Sequence, residues 1–96
     1  MKSLEFGSFI KSIRESKNIP QRIVAHALDI DTSTLSKMEI GERKISISMV
    51  KPLALSLDFN YKELQIKYII EKIKSELNNQ PYLLEALKVA LEELDR

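Results

Sequence analysis

The chain contains no cysteine and no tryptophan, one histidine, two glycines and three prolines in 96 residues. Without cysteine there can be neither disulfides nor thiolate metal sites, a composition suited to a reducing cytoplasm. So few glycines leave no glycine-rich loop to cradle a phosphate. The single histidine, His26, stands between Ala25 and Ala27 and reads as a surface residue of a helix, so an enzyme is not expected. Asp29, Asp31 and Ser33 have the spacing that opens a calcium loop. Thr34, however, stands where that loop needs glycine and Ile40 where it needs a bidentate glutamate, so no metal is expected. No cofactor or small-molecule ligand is expected either. Long apolar runs are also missing: none reaches the roughly 18 residues of a membrane span, and the amino terminus lacks an apolar stretch behind a basic start. The expectation is a soluble cytoplasmic protein with no membrane partner.

Charge of one sign is absent as well. The formal net charge is +1 and the pI near 7.9. Residues 1–60 carry nine Lys/Arg against seven Asp/Glu, and residues 61–96 carry six against seven. Any attraction for nucleic acid must therefore come from a small local patch, because the whole chain is not strongly basic. What the chain does have is 44% apolar residues, enough for one modest core, set out at helical spacing.

The stretch 20–44, PQRIVAHALDIDTSTLSKMEIGERK, reads as two short helices, a tight turn between them, a glycine stop and a basic pair. Ile23, Val24, Ala27 and Leu28 make one apolar stripe; Leu35 and Met38 make another behind the start signal Asp31, Thr32, Ser33. Asp31 suits the N-cap, accepting from the backbone of Ser33 or Thr34, and Gly41 suits the left-handed residue past a helix end. The segment Leu28-Asp29-Ile30-Asp31 is too short for anything but a turn, so the helices must cross steeply. The pattern is a helix-turn-helix.

Gln21, Val24-Ala25, Leu28, Ile30, the run Ser33-Thr34-Leu35-Ser36-Lys37, Glu39, Gly41 and Arg43 resemble the signature of lambda-repressor-like (XRE-type) helix-turn-helix regulators. The likeness runs over about 6–64 and leaves the last thirty-odd residues uncovered. It implies that the helix beginning at Thr32 enters the major groove of double-stranded DNA while the helix before it lies across the backbone. By position, Thr32, Ser33 and Lys37 are the candidate base-reading residues, joined by Thr34 and Ser36. A lysine at a groove edge prefers the two acceptors of guanine, whereas hydroxyls discriminate poorly. The serines and threonines have helix capping as their alternative role. Gln21 resembles the family's phosphate-binding glutamine; Arg43 and Lys44 should flank neighbouring phosphates, with Arg22 and Lys17 as outer candidates. Arg14 and Glu39 occupy the places of an ion pair that buttresses the reading helix from behind. The chain departs from the family at Pro20, where Ser or Thr usually caps the helix, and at Ile40 and Glu42, where asparagine and lysine are common.

Along the rest of the chain, residues 4–17 read as a first helix with Phe6, Ile10 and Ile13 on one face, and Gly7 in its first turn. Residues 43–48 read as an extended loop. Ser46 or Ser48 is expected to cap a fourth helix reaching about residue 57, with Pro52 early in it: with Ser48 as cap Pro52 removes only the first regular hydrogen bond, and with Ser46 a local kink is expected. Asn60 suits the cap of a fifth helix over 61–77, where Ile66, Ile69, Ile70, Ile73 and Leu77 form a stripe. The break Asn78-Asn79-Gln80-Pro81 precedes a last helix with Leu83, Leu84, Leu87, Ala90, Leu91 and Leu94, giving a helical hairpin.

That final helix is apolar on more than one side, and Phe9 and Ile23, usually charged in the family, add to the surplus. Self-association explains it, with Ile69, Ile73, Leu83, Leu84, Leu87, Leu91 and Leu94 as dimerisation residues. The alternative is that the hairpin folds back and the chain stays a monomer. The expectation is an all-α protein: a five-helix lambda-repressor-like domain over 1–64 and a C-terminal helical dimerisation extension over 65–96. Its function would be transcriptional regulation as a homodimer on a palindromic operator, with a size like that of the controllers of restriction-modification operons. The competing reading is an antitoxin or protein-interaction module whose hairpin binds a partner protein.

Overall fold

The computed structural model describes residues 3–95, with side chains described from residue 6, and the described residues form helices and no strand. In order they are α1 (Ser3–Ser16), α2 (Gln21–Leu28), α3 (Thr32–Glu39), a single 3₁₀ turn (Ile47–Met49), α4 (Val50–Ser56), α5 (Tyr61–Leu77) and α6 (Leu83–Leu94). With glycine scarce, the left-handed residue beyond three helix ends is Asn18, Asp29 or Asp58, at φ 57°, 58° and 50°; Gly41, at φ 85°, closes α3. Asn and Asp tolerate that region better than other residues with a Cβ, which is why two glycines suffice. Asp31 caps α3 by accepting from the Thr34 N–H at 2.8 Å, and Asn60 caps α5 by accepting from the Glu63 N–H at 2.9 Å.

Two starts before α5 lack a side-chain cap. Pro20 precedes α2 with none, and neither Ser46 nor Ser48 caps α4, their hydroxyls meeting each other at 3.0 Å instead. The 3₁₀ turn runs straight into α4, so Pro52 falls in that helix's first turn, where no regular hydrogen bond is lost.

The core is built from every helix of the domain: Phe6, Ile10 and Ile13 of α1, Val24 and Ala25 of α2, Leu35 and Met38 of α3, Val50, Leu53 and Ala54 of α4, and Leu64 and Tyr68 of α5. Helix α1 packs on α3 and α5, α2 on α3 and α4, and α4 on α5. Leu35, Leu53 and Leu64 are fully buried, each worth about 1.5–3 kcal/mol against exposure. Phe9 does not belong to the apolar surplus. It packs on this core, edge-on to the Phe59 ring at 5.9 Å, with the Lys67 ammonium over its face at 5.1 Å.

Gly7 has a tighter reason for its identity than a cheap position in a first turn. A Cβ there would stand 2.2 Å from the Met38 carbonyl oxygen and 3.0 Å from that of Glu39. Helix α1 thus rests directly on the carboxyl end of α3, and only glycine permits the approach.

Helix α5 passes position 64 without a break, and its first three turns belong to the domain through Leu64, Tyr68 and Glu71. Beyond the turn at 78–82, α6 completes the helical extension expected from sequence, and none of its residues is buried. Its N-cap, Tyr82, is left-handed at φ 65° and supplies no side-chain cap. The apolar rows of α5 and α6 are both present, and much of each stays exposed in a single chain. No helix of the described residues is long and apolar enough to cross a membrane.

Candidate nucleic-acid interface

Helix α3 is eight residues long and divides cleanly by face. Leu35, Met38 and Glu39 point inward; Thr32, Ser33 and Lys37 are exposed, with Thr34 and Ser36 half-buried between the two sets. Its start is a small network of its own: the Asp31 carboxylate accepts from the Thr34 N–H at 2.8 Å and from the Ser33 hydroxyl at 3.1 Å. The Thr34 side chain, its backbone N–H and Ser33 together hold that carboxyl below its ordinary value, because each bond favours the ionised form. Ser33 and Thr34 therefore serve the cap, while Thr32 and Lys37 make no side-chain hydrogen bond among the described residues.

Behind α3 lies a buried polar chain. Arg14 Nε donates to Glu39 Oε2 at 2.7 Å and Nη2 to Oε1 at 3.0 Å, while Nη1 donates to the Ile19 carbonyl, in the loop between α1 and α2, at 3.1 Å. The hydrogen bond to Glu39 raises the Arg14 pKa further above its ordinary value. Gln21, at the start of α2, joins the same carboxylate: its Nε2 lies 3.1 Å from Glu39 Oε1 and 3.0 Å from the Ser36 hydroxyl. The structure thus places Gln21 and Ser36 in the seam between α2 and α3. Both polar atoms of the Gln21 amide have protein partners, since its Oε1 also accepts from Ser36 at 3.3 Å. Ser36 faces Gln21 rather than the outer face. The four residues lock three helices at one point, and the angle at which α3 leaves the body depends on them.

The basic pair follows directly. Past Gly41, the N–H groups of Glu42 and Arg43 both donate to the Lys37 carbonyl, at 2.8 and 3.2 Å. The far end of the strap is held by Ile45, whose side chain is buried and whose carbonyl accepts from the Tyr68 hydroxyl at 2.6 Å. Between these anchors Arg43 and Lys44 are exposed, as is Arg22 on α2, and none has an ion-pair partner among the described residues. Lys17 is placed differently. Its ammonium donates to the Leu57 carbonyl at 2.9 Å and to the Asp58 carbonyl, and lies 5.9 Å from the Phe59 ring centroid. It closes the carboxyl end of α4, where a cation meets the helix dipole favourably, and so is not free for a phosphate.

The candidate dimerisation residues lie apart from this face, on α5 and α6. Ile69, Leu84, Leu87, Leu91 and Leu94 are exposed, and Ile73 and Leu83 half-buried.

Sequence reasoning did not assign Gly7 or Tyr68 a part in the site. Gly7 could have been noticed as one of only two glycines, inside a helix and beside a core phenylalanine. Tyr68 follows Leu64 by four residues, and a tyrosine on a buried face normally brings its hydroxyl to a partner.

The exposed surface offers donors and acceptors on the outer face of a short helix, a cation one turn along it, and two further cations on an anchored strap. This is the chemistry for groove edges flanked by phosphates. No curated protein and no solved structure matches the chain. A helix-turn-helix family model matches residues 10–64, more than half of the chain, and spans α2, the turn and α3 together with the helices that brace them. The protein belongs to the lambda-repressor-like (XRE-type) helix-turn-helix family of DNA-binding transcriptional regulators.

Proposed function

We propose that the protein works as a homodimer that binds a palindromic operator and controls transcription by occupying it. Thr32 and Lys37 read base edges, with Ser33 beside them holding the cap, and Arg43, Lys44 and Arg22 hold the phosphates. The observation that carries this reading is the division of the chain into two exposed surfaces of opposite chemistry: a polar and basic face at α3 and its strap, and apolar rows on α5 and α6. A two-fold axis through the apolar rows presents two reading helices, which suits half-sites about one helical turn, ~34 Å, apart or a multiple of it. The input in this reading is the protein's own concentration, acting through dimerisation in the cytoplasm. That is the economy of a controller of a restriction-modification operon.

Selection of bound duplexes from a random pool tests the proposal. The expected consensus is an inverted repeat with a fixed centre-to-centre spacing; a single asymmetric site overturns it. Truncation before Asn78 should yield a monomer of much weaker operator affinity, and a truncated chain that still sediments as a dimer removes α6 from the interface.

A further inference from the structure

Helix α6 carries two apolar rows. Leu83, Leu87 and Ala90 lie on its better covered side, whereas Leu84, Leu91 and Leu94 are 73%, 69% and 85% exposed. Helix α5 presents a matching surface, with Ile66, Ile69, Ile70 and Leu77 all between 42% and 48% exposed. The two also match in length. The twelve residues of α6 rise about 18 Å, the span of α5 from Ile66 to Leu77.

A helix with a narrow stripe is satisfied by one neighbour; a helix with two rows needs one on each side. Charge weighs against one of the two pairings. Helix α6 holds Glu85, Glu92 and Glu93 against Lys88 alone, while α5 holds Lys62, Lys67, Lys72 and Lys74 against Glu63, Glu71 and Glu76. Two α6 helices side by side would bring a net negative charge against its like, whereas α5 is nearly balanced, its Lys67, Lys72 and Lys74 paired with Glu71 and Glu76, and offers α6 no such repulsion.

We infer that in the dimer each α6 docks between its own α5 and the α5 of a second copy. The arms form a ring of four helices in the order α5, α6, partner α5, partner α6. Neighbours are antiparallel throughout, the two acidic helices sit across the diagonal, and the two-fold axis runs along the bundle. Each globular domain sits at the amino end of α5, so both domains and both α3 helices emerge at one end of the bundle, on one side of a duplex. The arrangement rests on the homodimer reading and specifies its interface.

The absence of cysteine makes the test clean. In an antiparallel pairing Leu91 stands level with Ile69. Full-length chains carrying Ile69→Cys and Leu91→Cys, both at exposed positions, are mixed and mildly oxidised. The expected product is the mixed disulfide dimer as the major species, with Leu91→Cys alone giving essentially none. A dimer that yields the Leu91→Cys homodisulfide, or neither product, overturns the ring and leaves dimerisation standing. An unmodified chain that sediments as a monomer while bound to operator overturns the homodimer reading beneath it.

Discussion

Arg14 and Glu39, 25 residues apart, meet in a two-pronged pair at 2.7 and 3.0 Å, with the Glu39 side chain 3% exposed. The pair joins the end of α1 to the end of α3. Its value lies in geometry more than in net stability, since desolvating both charges offsets much of their attraction.

Removing one partner should be far worse than removing both. Glu39→Met leaves the Arg14 guanidinium without its carboxylate and should cost about 3–5 kcal/mol, whereas Arg14→Met combined with Glu39→Met should recover a large part of it. Denaturant unfolding of the single and double variants measures this. Operator affinity should stay depressed in the double variant even where stability returns, because Gln21 and Ser36 lose the carboxylate that fixes the α2–α3 seam.

Gly7→Ala puts a methyl group into the carbonyls of Met38 and Glu39. Neither helix backbone can yield cheaply, so the expected loss is about 1–3 kcal/mol. For a chain of this size that is a fall in Tm of roughly 4–8 °C per kcal/mol. An unchanged Tm would show that α1 does not rest on the end of α3.

Replacing Arg43 and Lys44 together with alanine touches no buried group. Stability should hold within about 0.5 kcal/mol, while binding weakens on all DNA and the log–log salt slope flattens by about 0.9 for each phosphate that the two side chains neutralise. Binding titrations at several salt concentrations decide it, and an unchanged slope places both residues off the phosphates.

Asp31 gives a dependence on acid pH of known sign. Its carboxyl titrates below its ordinary value of 3.8 because the ionised form accepts from Thr34 and Ser33. A depressed folded-state value means that the contribution is fully present above the ordinary value and is lost as pH falls through the depressed one. Asp31→Asn keeps a capping oxygen and cannot ionise in this range. Its stability should therefore fall less steeply than that of the parent as pH drops below the ordinary carboxyl value, as followed by circular dichroism. Identical acid profiles would remove the cap from the linkage.

Local chemistry alone fixed the short helices, the turn at 29–31, the Asp31 cap and the Gly41 stop, because each is set by residues within one turn of one another. Family resemblance added Arg14 and Glu39, which no periodicity joins. What only tertiary structure decided is everything that depends on two segments meeting. Gln21 and Ser36 face each other across a seam, Lys17 is drawn to the end of α4, and Tyr68 ties α5 to the basic strap. Gly7 is required by the backbone of a different helix, which no spacing within α1 could bring beside it. The apolar row of α6 was plain in the sequence, yet how much of it the fold leaves exposed was not. A stripe records that a helix seeks partners, and only the three-dimensional arrangement shows how much of it its own chain covers.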